Sequence, residues 1–396
     1  MRFGIDGCCW SNRRGFGRLV RELVSEMAAV NCVEGNHELA LIVDRQTADA
    51  RRFPEGVTVE VVPTRQQPTR AASSEGRRSL GDLWRMRRAA TLLSYDAFFF
   101  PAVYSYYPIP RRIPSLVTFH DAIAEIHPEL IFPNRRTRWA WKAKVRLALR
   151  HTTRVLTVSQ AAEDQIAESF GYARARIDVI TEAAGPEFRI IEDPEVVERV
   201  LERQGFARDA SLILFVGGIS PHKNLDGLIR AVAGLAKEGV EHWQLGLVGD
   251  YRDDAFLGCY DALQHVVREL QIEDRVKFTG YVSEEDLVAL YNAATVIVIP
   301  SFSEGFGLPA VEAMACGAPV VASRRGSLPE VLGTAGLYFD PGKPEEMRAA
   351  IAEVLTDPAL RDRLIAAGRV QAAKHSWTDA ARQVLAYLER LAGGRS

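Results

Sequence analysis

Cysteine is scarce. The five in 396 residues (Cys8, Cys9, Cys32, Cys259, Cys316) are an odd number, with no Cys-x-x-Cys and no Cys/His ligand spacing. This excludes a disulfide scaffold and a structural zinc module, and leads us to expect reduced thiols in a cytoplasm. Long apolar runs are missing too: none approaches the roughly eighteen residues of a membrane span. The opening MRFGIDGCCW goes straight into a strand-like run, so no signal peptide is expected. Compositional bias is also absent. Hydrophobic residues at 47% and charged residues at 25% are globular values, which excludes a disordered or collagen-like chain. The length exceeds one ordinary core and suits two or three domains.

Net charge is small, at −2, but unevenly spread. Up to Gly185 there are 27 basic and 20 acidic residues; after it there are 22 and 31, so the halves carry +7 and −9. Between 135 and 154 lie eight basic residues (Arg135, Arg136, Arg138, Lys142, Lys144, Arg146, Arg150, Arg154) and no acid, with Trp139 and Trp141 interleaved. A second cluster, Arg77, Arg78, Arg85, Arg87 and Arg88, surrounds Trp84. A helix of this content suits an anionic membrane interface. It also reads as an arginine-rich solvated face, and both readings stand at this point. No nucleic-acid module accompanies the clusters, so nucleic acid is not an expected partner.

Strand-like apolar runs alternate with helical patterns. In the first half they fall at 2–6, 39–43, 57–62, 97–100, 116–119, 155–158 and 177–180, with a helix predicted over 16–30 from Leu19, Leu23 and Met27. Ser159 is placed to cap a helix that ends near Gly171. After the Gly-Pro stretch 185–189, read as a linker, runs follow at 211–216, 244–248, 276–279, 296–299, 319–322 and 337–339. Ser283 with Asp286, and Pro309 with Gly317, punctuate the helices between. This alternation predicts an α/β protein with two doubly wound parallel sheets. The boundaries expected are 1–188, 189–375 and a final amphipathic helix over 376–396.

In open parallel sheets ligands bind beyond the carboxyl ends of the strands. The unusual residues of the second half collect in those loops: Gly217-Gly218-Ile219-Ser220-Pro221-His222-Lys223-Asn224, Gly249-Asp250, Gly280-Tyr281-Val282 and Ser301-Phe302-Ser303-Glu304-Gly305-Phe306-Gly307. A cation, glycines and carboxylates on one edge are what a nucleoside diphosphate needs. Glu304 precedes Glu312 by eight positions, the first in a glycine-rich loop and the second expected in the first turn of the next helix. Carboxylates there can accept paired hydrogen bonds from vicinal sugar hydroxyls. In the first half, Gly15-Phe16-Gly17 opens a helix but is not a dinucleotide fingerprint, because Val20 stands where a third glycine belongs. His120 and Asp121 follow a buried strand at its carboxyl edge. The acidic 250–254 stretch is read as a solvated loop.

The segment SFSEGFGLPAVEAMACGAPVVAS resembles the E-x7-E motif of the retaining glycosyltransferases of family four, which have the two-domain GT-B fold. VGGISPHKNLDGLI resembles the donor diphosphate loop of the same family. GIDGCCWSNRRGFGRLVRELV, LVTFHDAIAEIHPE and LTVSQAAEDQI are similar to further family segments in the same order. The resemblance implies two Rossmann-like domains facing a cleft, with the last helix crossing back to the first. It also implies transfer of a hexose from a nucleotide diphosphate sugar to an acceptor hydroxyl, and no metal or other cofactor. Lys223 matches the residue that neutralises the diphosphate, Glu312 the one holding the ribose, and Glu304 the one facing the donor sugar.

On the same resemblance, Gly15, Gly17, Gly218, Ser220, Gly305, Phe306, Gly307 and Leu308 lie on the donor side. Tyr281 and Val282 fall beside the nucleobase, although Tyr281 also reads as a packing residue. His120 lines the reaction centre and Asp121 the acceptor side. Family members commonly have an arginine shortly before the lysine, where this chain has Gly217. His222, Ser220 and backbone amides, or Arg13 or Arg14, would take its load. Same-face attack and a covalent intermediate both remain open. GID followed by RGFGR resembles mannosyltransferase-like members that use GDP-mannose to extend surface polysaccharides. A glycan or lipid-linked acceptor, and a cytoplasmic protein peripheral at the inner membrane face, are the matching expectations. The rival readings are a sugar-nucleotide epimerase of the same architecture and a non-catalytic sugar-nucleotide-binding subunit.

Overall fold

The computed structural model describes residues 1–12, 14–35, 37–65, 79–251 and 258–394. The chain divides into two compact units, one of Met1–Glu182 with Ser376–Ser396 and the other of Ala183–His375.

The first unit contains seven strands: β1 (Arg2–Asp6), β2 (Glu38–Asp44), β3 (Val57–Val62), β4 (Ala97–Phe100), β5 (Ser115–Thr118), β6 (Arg154–Thr157) and β7 (Ile177–Val179). They form one parallel sheet in the order β3-β2-β1-β4-β5-β6-β7. Central β4, Ala-Phe-Phe-Phe, is buried at every position, as expected of a parallel strand covered on both faces. Edge strand β3 is largely half-exposed.

The second unit contains β8 (Ser211–Val216), β9 (Trp243–Val248), β10 (Val276–Gly280), β11 (Val296–Ile299), β12 (Val320–Ser323) and β13 (Gly336–Phe339). Their order is β10-β9-β8-β11-β12-β13, again all parallel. In each sheet the strand order reverses once, between β1 and β4 and between β8 and β11. The loops leaving those neighbours turn to opposite faces and open a crevice at the carboxyl ends.

Local signals act where the sequence puts them. Ser159 accepts from the Ala162 N–H, and its helix stops at Gly171 in a left-handed conformation (φ 60°). Ser283 accepts from the Asp286 N–H, while the Asp286 carboxylate turns to Arg203 and Gln204.

The segment expected to link the domains belongs to the second unit. Phe188 is buried with its ring 6.0 Å from that of Tyr291. The Ile191 N–H donates to Asn292 Oδ1 at 2.8 Å, and Asn292 Nδ2 donates to the Arg189 carbonyl at 2.9 Å. The division therefore falls after Glu182, six residues before the expected one at 188.

The last helix, Trp377–Gly393, packs on the first helix, Gly15–Glu34, and on β4 and β5. Trp377, Ala381, Val384, Leu388 and Leu391 form its buried stripe. Thr378 Oγ1 donates to Glu26 at 2.8 Å, and His37 Nε2 lies 2.7 Å from Glu389.

Candidate functional site

In the second unit the candidate residues gather where β8 and β11 diverge. Beyond β8, the short turn Pro221–Lys223 ends at Asn224, which is left-handed (φ 55°) and buried. Its amide Nδ2 donates to the carbonyls of Pro300 (3.1 Å) and Pro341 (2.9 Å), which fastens this loop to the ends of β11 and β13. The Phe302 N–H donates to the His222 carbonyl at 3.0 Å, joining the two loops directly.

This fastening sets Lys223 against Glu304. The ammonium Nζ lies 2.7 and 2.8 Å from the two carboxylate oxygens, and both side chains are largely buried. Ser301 Oγ adds a 2.6 Å hydrogen bond to Glu304 Oε1. The backbone of the same loop is held by Ser327, whose hydroxyl donates to the carbonyls of Phe306 (2.7 Å) and Glu304 (3.2 Å). Ser220 is buried, with its Oγ 3.2 Å from His222 Nδ1; Gly218 lies in the half-exposed stretch before it.

Gly307 caps the helix Leu308–Ala315 with φ 96°, and a Cβ there would stand 2.8 Å from Leu328 Cδ2, so only glycine fits. The side chains of Phe306 and Leu308 are buried, Phe306 edge-on to His375 at 5.4 Å. What these residues and the buried Gly305 offer a ligand is backbone at a helix N-terminus.

Glu312 is the fifth residue of that helix, past the first turn where the sequence reading put it. What holds it is Tyr291, whose hydroxyl donates to Oε2 at 2.9 Å, with both side chains buried. Burial, with the nearby Glu312 carboxylate, pushes the Cys316 thiol up to about 12. On the far side of the sheet edge, Val282 is buried and Tyr281 is 54% exposed, so Tyr281 is not a core packing residue. Most of the 250–254 loop lies outside the described residues, as does Arg13.

In the first unit the corresponding edge is built by the loops after β1, β4 and β5. Asp6 at the end of β1 is fully buried and accepts from the Ser105 hydroxyl, joining the first two loops. Gly17 is required by close approach, since a Cβ would stand 2.1 Å from the Asn12 carbonyl oxygen; Gly15 faces open space. Phe16 between them packs against Tyr104, ring centres 4.8 Å apart and tilted by 31°. His120 Nε2 is 3.3 Å from the Pro101 carbonyl and Nδ1 is 3.7 Å from buried Glu182; the ring lies 6.4 Å from those of Phe16 and Tyr104. Asp121 accepts from the Ile123 N–H at 2.9 Å, starting the short helix Ile123–Ile126.

The basic segment forms the helix Arg135–His151, capped by Asn134. It is two-sided. Arg135, Arg136, Trp139, Arg146, Leu147 and Arg150 are exposed, Trp139 at 67%. Trp141 turns inward, its Nε1 donating to Glu125 at 3.0 Å, and Lys144 lies 4.4 Å over its ring. Arg154, in β6, pairs with Asp178. Near the second cluster, Trp84 is 58% exposed with Arg88 against its ring, while Arg77 and Arg78 lie outside the described residues.

Ser327, Tyr291 and Glu182 are site residues that sequence reasoning missed, and Ser301 and Asn224, though inside the loops it singled out, were given no role. Their only signal is a hydroxyl, amide or carboxyl at a strand or helix end, and except for Ser301, which reaches Glu304 three residues on, their partners lie far off in sequence. No helix among the described residues is long and apolar enough to cross a membrane.

Two family models match the chain: that of the glycosyl transferases group 1 over residues 197–371, and that of glycosyltransferase family 4 over 13–183. The O-antigen chain mannosyltransferase B of Escherichia coli is 32% identical over 392 residues, 94% of each chain. Among solved structures, sucrose-phosphate synthase from Thermosynechococcus elongatus superposes with a TM-score of 0.74 at 20% identity, covering 100% of both chains. Anabaena HepE, solved with UDP and glucose, gives 0.73 at 20% identity over 98% of this chain and 100% of its own. With its two parallel-sheet units and returning C-terminal helix, the chain belongs to the family 4 glycosyltransferases of the GT-B fold.

Proposed function

We propose that this glycosyltransferase is a retaining hexosyltransferase. It moves a sugar, with GDP-mannose as the leading donor, to a hydroxyl of a surface polysaccharide or glycolipid. The observation that supports this reading best is the Lys223–Glu304 pair at the point where β8 and β11 diverge. A cation there meets the negative charge that develops on a departing diphosphate, aided by the N-terminus of the Leu308–Ala315 helix. Glu304 is then beside the donor sugar, and Glu312, oriented by Tyr291, accepts from the ribose hydroxyls. Similarity to the O-antigen chain mannosyltransferase B of E. coli supports mannose and polysaccharide, and HepE with UDP and glucose supports a nucleotide-linked donor.

Retention fits attack from the face of the departing group. The bond from the anomeric carbon to the phosphate oxygen breaks, and the bond to the acceptor oxygen forms. The acceptor proton passes to the phosphate. Glu304, already engaged by Lys223 and Ser301, is poorly disposed to act as a covalent nucleophile. Lys223 supplies the positive charge in this scheme, so no metal takes part. His120 and Asp121 stand on the acceptor side. The exposed face of the Arg135–His151 helix docks on the anionic inner face of a membrane, where a lipid-linked acceptor would reside.

The test is a panel of GDP-mannose, UDP-glucose and UDP-N-acetylglucosamine, read by thermal shift and hydrolysis, with NMR of the anomeric configuration of any transfer product. No stabilisation or turnover with any nucleotide sugar would overturn the donor assignment. An inverted product would overturn retention alone.

A further inference from the structure

The first unit holds a carboxyl that the scheme above leaves unused. Glu125 lies in the one-turn helix Ile123–Ile126, four residues beyond Asp121. One oxygen accepts the 3.0 Å hydrogen bond from Trp141 Nε1. Among the described residues no side chain donates to the other. Beside it runs a row of half-buried rings, Phe16 to Tyr104 at 4.8 Å and Tyr104 to Trp141 at 5.4 Å, with His120 against Tyr104 at 6.4 Å. Lys144 closes the far side, its Nζ 3.3 Å from the Tyr104 carbonyl.

A fixed carboxyl beside half-buried aromatic rings matches a pyranose. Its hydroxyls donate to the carboxylate, and its C–H faces lie against the rings. Burial raises Glu125 to about 7, against the lowering effects of Trp141 and Lys142 and with a further push from Asp121. Tyr104, packed beside it, is held well above its usual value by burial. Asp121, Lys142, Lys144 and His120 also lie around this edge, so a pH dependence of binding is assigned to Glu125 by its loss in E125Q.

We propose that Glu125 binds hydroxyls of the acceptor, with Trp141 as its positioning residue, and that the acceptor presents a sugar ring to this edge of the first sheet rather than a bare lipid phosphate. This rests on the glycosyl-transfer reading above.

The probes are methyl α-D-mannopyranoside and α-linked mannobiose, titrated by NMR into the full chain, with GDP titrated separately. E125A should weaken saccharide binding about tenfold and E125Q somewhat less, while GDP affinity stays near wild type. Exposed Glu129 supplies the control, and E129Q should change nothing. Wild-type saccharide affinity should fall as pH drops from 8 to 6 and the carboxylate takes up a proton. That dependence should vanish in E125Q, and in W141F its midpoint should move up, because the indole N–H favours the charged form. Unchanged saccharide affinity in E125A, or no saccharide binding by wild type, overturns the proposal while intact GDP binding leaves the donor reading standing. Loss of GDP binding by the wild type would instead sink the donor reading.

Discussion

Lys223 and Glu304, from loops 81 residues apart, neutralise each other, with the lysine nitrogen within 2.8 Å of both carboxylate oxygens. A diphosphate that recruits this lysine must compete with the carboxylate. K223A should therefore lower turnover by about a hundredfold or more, since the charge on the leaving group then develops without its cation. E304Q should bind nucleoside diphosphate at least as tightly as wild type, having lost a competing negative charge, yet transfer poorly. Calorimetry with GDP and UDP, set beside turnover, separates the two. Equal loss of nucleotide affinity in both variants would remove the division of roles.

Glu312 depends on Tyr291. Removing the hydroxyl in Y291F should cost about 1 kcal/mol of stability, because the buried carboxylate loses its 2.9 Å donor. It should weaken nucleoside diphosphate binding less than E312A does. Urea melts and calorimetry on the two variants provide the check.

The final helix is part of the first unit's core. L388A removes a fully buried side chain and should cost about 2–5 kcal/mol. R382A, at the exposed pair with Glu34, should hardly matter. An equal effect of the two in denaturant melts would mean that the helix is held by its charges.

The strands were legible because buried parallel strands are short continuous apolar runs, and β1, β3, β4, β8 and β11 begin and end where those runs do. Lys223 and Glu304 were legible as candidates because unusual residues gather at the carboxyl ends of such runs, and Glu312 by its spacing from Glu304. Their partners were not. Tyr291 and Ser327 lie 21 and 23 residues from the groups they hold, and only the fold makes them neighbours. Pro and Gly at 185–186 suggested a linker, but Phe188 is a buried anchor. Trp139 and Trp141 were counted together as interleaved with the basic residues, with no face assigned to either. Two positions along a helix are about 200° apart, so one indole faces out and the other in. Spacing alone contained that answer.

Stability should depend on pH through Glu125. Burial raises its carboxyl to about 7 in the folded protein, above its value in the unfolded chain. The folded state thus holds the proton more tightly, and stability declines as pH rises from the ordinary glutamate range through 7. E125Q, which cannot ionise, should be more stable than wild type at pH 8 by about 1–3 kcal/mol, and the gap should close by pH 4.5. Melts of both proteins across that range test the sign. A gap that widened as pH fell would mean that the carboxylate is stabilised where it sits.

The proposed membrane docking falls on a narrower surface than the charge count of the segment suggests. Lys144 and Arg154 are engaged within the first unit, and Trp141 is turned away from solvent. Arg135, Arg136, Arg146 and Arg150 remain exposed along with Trp139 and Leu147. Each basic residue near an anionic surface contributes about 1 kcal/mol, so four together make a measurable contact, and Trp139 adds an interfacial anchor. The charge-driven part must weaken as salt rises through the physiological range. Co-sedimentation with phosphatidylglycerol-containing vesicles should show binding at low salt that falls at high salt. R146E with R150E should abolish it, and W139A should reduce it at every salt concentration. K144A, which alters an inward-facing residue, should leave vesicle binding nearly intact. Failure of the wild type to bind anionic vesicles at low salt would leave this face solvated and the acceptor to be found in solution.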